Sequence, residues 1–371
     1  MNRLEAPAGD GEAVVVPPLE EWAGLAERNH QALRGWPGRE EARAEVLALA
    51  GERADGPWFV AGHQPELFHP GVWVKSFALA GQARRAGGVA VNLVIDTDTL
   101  KSAAVRVPVR ERWPRAETVP FDRWRGEAPW EERGVIDEEL FSTFGERIAE
   151  RMRAWGVRPL AERFWPMALA MPGTIGERFA EARRRIGREW GCRNVEVPMS
   201  AVCGTRAFRS FAEAVARDAA RFREVHNRAV AEYRARNGIR SDSHPVPDLA
   251  EGEVPFWAWR AGEVRRSRVF APAGRLDSEG KLRSRALATT LFSRLFLADL
   301  FVHGIGGGKY DELADALIRG FFGIEPPGYA VLTATRLLPL PLFGTTRDDA
   351  RRLASRLREL DYNPQRFLPP G

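Results

Sequence analysis

Residues 58–95 constrain the fold of this chain most, because they carry the pattern of a β-α-β unit. Trp58-Phe59-Val60-Ala61 reads as a short buried strand, and Gly62 breaks it. His63, Gln64, Glu66 and His69 follow directly. Pro70-Gly71 then opens a stretch in which Trp73, Phe77 and Ala80 share one helical face. Proline suits a first helical turn, where its missing N–H would have had no partner. Gly87-Gly88 stops the helix, and Val89–Ile95 reads as a second strand. That strand shows little polar alternation, as expected where both faces are covered. The polar groups therefore gather at the C-terminal end of the first strand, where open α/β sheets bind ligands.

Covering both faces of such a sheet takes a long chain, and 371 residues with 44% hydrophobic content supply a large core. The 55 basic residues exceed the 50 acidic ones only slightly. Arginines alternate with acids along helices instead of forming a block, a pattern of solvated faces and not of a nucleic-acid surface. Two cysteines, Cys192 and Cys203, argue for reduced thiols and against a disulfide framework or a Cys-based zinc site. The most apolar stretch, Ala286–Val302, carries Arg294 and Asp299 and is too short to span a bilayer. No cationic segment followed by an apolar one opens the chain. A cytoplasmic protein acting on a small molecule is expected, with no membrane or nucleic-acid partner. Lysine is rare: Lys75, Lys101, Lys281 and Lys309 are all there are, and three of them fall in or beside the polar motifs. A compact ammonium suits a phosphate or a tight pocket in ways a guanidinium does not.

Residues 1 to about 15 read as loose and Leu19–Ala50 as helical. Val105–Val109 reads as a strand, after which Pro108, Pro114 and Pro120 keep the chain extended. Helical spacing dominates Glu138–Trp155, Thr174–Trp190 and Phe208–Asn237, with a short strand at Asn194–Met199. Phe256–Arg260 and Arg266–Phe270 resemble a hairpin, and Ala286–Phe301 a buried helix. Tyr329–Thr335 reads as a late strand and Arg347–Leu360 as a closing helix. The expected division is an N-terminal tail and helical segment (1–57), the first part of an α/β core (58–136), a mainly helical insertion (137–250), and the second part of the core (251–371).

Three constellations could carry chemistry. His63 and His69, between a strand end and a helix start, could donate hydrogen bonds to a phosphate or a developing oxyanion, with Gln64 and Lys75 alongside. The plainer alternative is one stacked histidine and one helix cap. Asp96 and Asp98 end the second strand, and alternation points both the same way. They could hold a ribose hydroxyl, an amine or a magnesium ion, or simply form a turn. His303-Gly304-Ile305-Gly306-Gly307-Gly308-Lys309-Tyr310-Asp311 reads as a glycine-rich loop feeding a helix, whose backbone could approach a ligand; the plainer alternative is a flexible turn with Asp311 as N-cap. It departs from a Walker A loop because Tyr310 follows Lys309. Gly304, Gly306, Gly307 and Lys309 are its candidate phosphate contacts. No His or Cys spacing suggests a protein-held metal. His244-Pro245-Val246-Pro247-Asp248 reads as a stiff connection or a substrate loop.

Gly62–Gly71 with downstream Lys75 resembles the G-Q-Q-x-G-L-F stretch and following lysine of the bacillithiol-biosynthesis cysteine-adding enzymes, the BshC family. His303–Leu313, with Phe322-Gly323-Ile324 after it, resembles that family's G-G-P-x-E-I-x-Y stretch and its F-G-I/V. His63 stands where the family has Gln, and Asp96-Thr97-Asp98-Thr99 lacks the His of the family's E-D-H-D. The resemblance implies a Rossmann-like parallel sheet of the nucleotidylyltransferase and class I synthetase kind. It also implies a ligase or nucleotidyl-transfer enzyme that uses ATP or another nucleotide, with magnesium, and joins an amino acid to an amine. His63, His69 and Lys75 would be catalytic. A non-catalytic ligand-binding or assembly protein on the same fold is the competing expectation.

Overall fold

The computed structural model describes residues 4–110, 115–277, 280–340 and 344–367. Pro114 lies outside them. Six strands form the main sheet: β1 (Ala13–Val16), β2 (Trp58–His63), β3 (Val89–Val94), β4 (Val195–Pro198), β5 (Leu300–His303) and β6 (Tyr329–Ala334). Their order is β1-β6-β5-β2-β3-β4. All neighbours are parallel except β1, which runs antiparallel to β6. The chain therefore winds outward from β2 in one direction through β3 and β4, then returns to β5 and winds the other way. Connections diverge between β2 and β5, and a crevice opens at the C-terminal ends of those two strands.

Period-two burial explains why the sheet needs two layers. Phe59 and Ala61 pack with Trp22, Leu79, Ala83, Val302 and Leu332 on one face. Trp58 and Val60 pack with Phe208, Phe211, Leu291 and Leu317 on the other. The helix Pro70–Ala86 forms as the sequence predicts, with Pro70 at its first turn and Gly87 closing it at φ 62°. A separate aromatic core holds Phe121, Phe141, Phe144, Trp165 and Phe179 together.

Three expectations are corrected. Residues 13–16 are not loose: the valine run has high β propensity and pairs with β6 as an edge strand. The segment 137–250 does not act as one insertion. Its first helices join the aromatic core, Val195–Pro198 returns to the main sheet beside β3, and Arg206–Asn237 covers a sheet face. The stretch Leu19–Ala50 divides into Trp22–Ala32 and Arg39–Ala50, separated at Gly38, whose φ is 78°. The hairpin expected around Phe256 is present: Glu253–Trp259 pairs antiparallel with Ser267–Phe270, and Lys281–Ser284 adds a third strand. Among the described residues no helix is long and apolar enough to cross a membrane.

Candidate functional site

The two polar motifs, more than two hundred residues apart in sequence, line one cavity of about 700 Å³ at the ends of β2 and β5. His63, Gln64, His69 and Lys75 come from the β2 side, and His303, Gly304, Gly306 and Gly307 from the β5 side. Asp98 lines it as well. Asp96 and Lys309 are not among its lining residues.

Lys75 is the unusual group. It sits in the second turn of the helix Pro70–Ala86 and is only 5% exposed. Among the described residues no carboxylate pairs with its ammonium. Burial alone pushes its pKa down to about 8. A Cβ placed on Gly304 would stand 3.9 Å from Lys75 Nζ, so the ammonium reaches across the crevice to the β5 side.

His69 is the N-cap of its helix. Its Nδ1 accepts the Gly71 N–H at 3.1 Å, which requires an unprotonated nitrogen there and leaves the ring proton on Nε2. Burial and then the Lys75 charge hold its pKa below the usual histidine value. His63 ends β2, and its Nδ1 lies 3.1 Å from the Gln64 carbonyl oxygen, so that nitrogen is the donor. Its ring stands edge-on to Phe68, and Nε2 lies 3.7 Å from Glu66 Oε1. Burial first, then Lys75, push the His63 pKa down to about 4. The capping and stacking contacts of a structural histidine pair are therefore both present, and both rings still line the cavity. Both are neutral at physiological pH.

The glycine-rich stretch is not a loop. The helix Ile305–Leu317 begins there, with Gly304 as its N-cap. Asp311 is consequently not a cap but lies a turn and a half inside the helix, where it pairs with Arg294 at 2.7 Å. Two of the glycines, Gly307 and Gly308, serve close packing, whereas a Cβ on Gly306 would meet nothing within 4 Å. A Cβ on Gly308 would fall 2.6 Å from Val331 Cγ2, and one on Gly307 would fall 2.5 Å from His303 Nδ1. The first intrahelical bond runs from Gly308 N to Gly304 O at 2.9 Å. The N–H groups of Ile305, Gly306 and Gly307 precede it and carry the positive end of the helix dipole at the cavity wall. Gly308→Ala is expected to cost about 1–3 kcal/mol of stability by overpacking. Lys309→Ala, on the exposed side of the same helix, is expected to stay within about 0.5 kcal/mol. Chemical denaturation of the two variants checks both.

Asp96 and Asp98 part company because β3 ends at Val94 and the chain turns. Asp96 accepts from Ser200 N at 2.8 Å and Ser200 Oγ at 2.5 Å, and burial raises its pKa to about 6. It holds the chain after β4. Asp98 accepts from Gln64 Nε2 at 2.8 Å and from its neighbour Thr99 N at 2.8 Å. Gln64 thus fixes the one cavity-lining carboxylate of this pair.

The far wall was not foreseen from sequence. Trp257 lies under two guanidiniums, Arg285 at 4.1 Å and Arg266 at 4.9 Å from the ring centroid. Arg285 is tied to Glu253 at 2.7 Å and Arg266 to Asp98 at 3.4 Å. Alternation in the hairpin could have singled out Trp257, but arginine supplies nearly all basic residues here, so nothing marked Arg266 or Arg285. Val246 and Pro247 of the stiff connection also line this wall.

The arrangement can hold an anion. One buried ammonium, three N–H groups and the Nε2–H of neutral His69 converge, with no carboxylate among the described residues answering the ammonium; His63 donates its ring proton to the Gln64 carbonyl and offers no other donor. Among the described residues no group of three or more His, Cys, Asp or Glu side chains is placed to hold a metal ion. Compared with protein-family models and with curated proteins, the chain matches none.

Proposed function

We propose that this chain is a BshC-like ligase or nucleotidyl-transfer enzyme on a Rossmann-like fold, binding a phosphorylated or nucleotide ligand in the β2/β5 cavity. The observation that carries the reading is Lys75, a buried ammonium with no acidic partner among the described residues, beside a helix N-terminus. Such a charge is costly to bury, and an anion in the cavity offsets that cost. The strand order supports the fold assignment: the parallel strands run 3-2-1-4-5 in chain order, and doubly wound sheets of that order bind nucleotides where the order reverses.

In this reading Lys75 and the N–H groups of residues 305–307 hold phosphate oxygens. His69 donates through Nε2–H to charge that develops during transfer. Gln64 orients Asp98 toward the second substrate, an amine. A magnesium ion brought by the nucleotide is held mainly by phosphate oxygens and water, and needs one or two carboxylates at most. Asp98 is the group that fits.

A panel of nucleotides and sugar phosphates at millimolar concentration tests this. A ligand at 100 times its Kd raises stability by about 2.7 kcal/mol, and the melting temperature rises with it. Affinity is expected to fall as pH rises through about 8, because Lys75 then loses its proton. An unchanged midpoint across the whole panel would sink the proposal. A non-catalytic binding protein would show the thermal shift without turnover of ATP in the presence of an amine.

A further inference from the structure

His303 belongs to neither of the roles given so far. It ends β5, immediately before the N-cap Gly304, and lines the cavity while only 7% exposed. Phe301 and Tyr329 stand edge-on to its ring at centroid distances of 4.6 and 5.4 Å. Its Nε2 lies 3.2 Å from Asp311 Oδ2, an ion-pair distance outside hydrogen-bond geometry, so this buried nitrogen has no hydrogen-bond partner among the described residues. Asp311 is itself fully buried and is held from behind by Arg294, which also reaches Asp315 at 2.8 Å. Burial opposes ionisation of Asp311, yet His303 and Arg294 keep its pKa below the usual carboxylate value. A fixed carboxylate beside Nε2 favours the ring proton on that nitrogen and leaves the lone pair on Nδ1. Nδ1 packs against Gly307, in the space where a side chain there would begin. Among the described residues Nδ1 has no hydrogen-bond partner.

We propose that His303 and Asp311 form a proton-transfer dyad in which His303 Nδ1 is the general base for a second substrate. The proposal rests on the anion-site reading above. Lys75 and the helix N-terminus hold the phosphoryl group, and His303 stands beside it on the wall that supplies those N–H groups. The attacking amine or hydroxyl forms a bond to phosphorus and gives its proton to Nδ1. The bond from phosphorus to the leaving group breaks, and the leaving group departs with the electron pair. Asp311 stabilises the resulting imidazolium and fixes the tautomer, so it is a positioning residue. The charged and titratable groups around His303 are Asp311, Tyr329, Arg294 behind Asp311, and Lys75 across the crevice.

Nitrogen-15 spectra of histidine-labelled full-length protein test the dyad without any substrate, with His303→Gln assigning the resonance. The expected result is that the neutral form of the ring carries its proton on Nε2, and Asp311→Asn is expected to let the Nδ1–H form appear. A ring protonated on Nδ1 in the wild type overturns the proposal. The second arm is ATP hydrolysis, with water as the nucleophile. His303→Gln is expected to slow it about 100-fold and to remove its acid limb, while the ATP-induced thermal shift persists. Hydrolysis at the wild-type rate and with the wild-type pH profile also overturns it. If ATP gives no thermal shift even in the wild type, the anion-site reading is what has failed, and the tautomer still decides the dyad.

Discussion

Lys75→Met is expected to raise the stability of the unliganded protein while weakening phosphate or nucleotide binding by at least about 100-fold. Both effects follow from a single unpaired charge. A pKa lowered from 10.5 to about 8 corresponds to about 3 kcal/mol spent on keeping the ammonium protonated inside the fold near neutral pH. Methionine keeps much of the length and apolar volume of lysine and removes that cost. The sign of the pH dependence is a separate check. Between about pH 8 and 10.5 the unfolded chain binds more protons at this site than the folded one. Wild-type stability should therefore rise with pH across that window through this group, and Lys75→Met should lack that component. Denaturant titrations at several pH values, with matched ligand titrations, measure both. A variant that is less stable and binds as well as the wild type would mean that Lys75 is structural.

Asp299→Ala is expected to lower stability by about 3–5 kcal/mol, the range for removing one member of a buried charge network. The Asp299 side chain is fully buried and sits just ahead of β5. It accepts from Arg39 Nη2 at 2.7 Å, pairs with Arg43 Nη2 at 2.8 Å, and accepts the Trp58 N–H at 2.7 Å. It thereby ties the helix Arg39–Ala50 to the first residue of β2. Its loss leaves two buried guanidiniums uncompensated. Replacing Asp299, Arg39 and Arg43 together by apolar side chains should cost less than the single change. Burial alone would raise the Asp299 pKa, but Arg43 and Arg39 hold it below the usual value. The contribution is therefore present above about pH 3.8 and is lost as pH falls through the lower folded-state pKa. Urea unfolding followed by tryptophan fluorescence measures the difference.

What could be read in advance was whatever lies in a contiguous pattern. The β2-helix-β3 unit is legible because its apolar spacing, Pro70 and Gly87 all act within one stretch. That His63 and His69 share a crevice with Lys75 followed from the same stretch. The structure of the glycine segment was not legible. Gly306, Gly307 and Gly308 look like loop residues by propensity, and only Val331 and the His303 ring, distant or out of the pattern, make glycine necessary at 308 and 307 inside a helix. Asp96 and Asp98 were expected to face one way because alternation was carried past Val94, where the strand ends. Ala13–Val16 looked loose because its partner, Tyr329–Ala334, is more than three hundred residues away. The Trp257, Arg266 and Arg285 wall depends on tertiary contacts between a hairpin and the chain after Lys281. Lysine scarcity pointed toward the site only once: Lys75 enters the cavity, Lys281 pairs with Glu131 and Glu132, and Lys309 is exposed.

The central claim is that Lys75 and the start of the helix Ile305–Leu317 together hold an anion. The most direct measurement is a crystal structure of the protein soaked with ATP and, separately, with inorganic phosphate, at pH 7. The account predicts phosphate density within about 3 Å of Lys75 Nζ and of the N–H groups of residues 305–307, lost in crystals of Lys75→Met. Phosphate seated elsewhere, for example in the hollow lined by Arg209, Lys281 and Arg283, with the β2/β5 cavity holding only water, would contradict it.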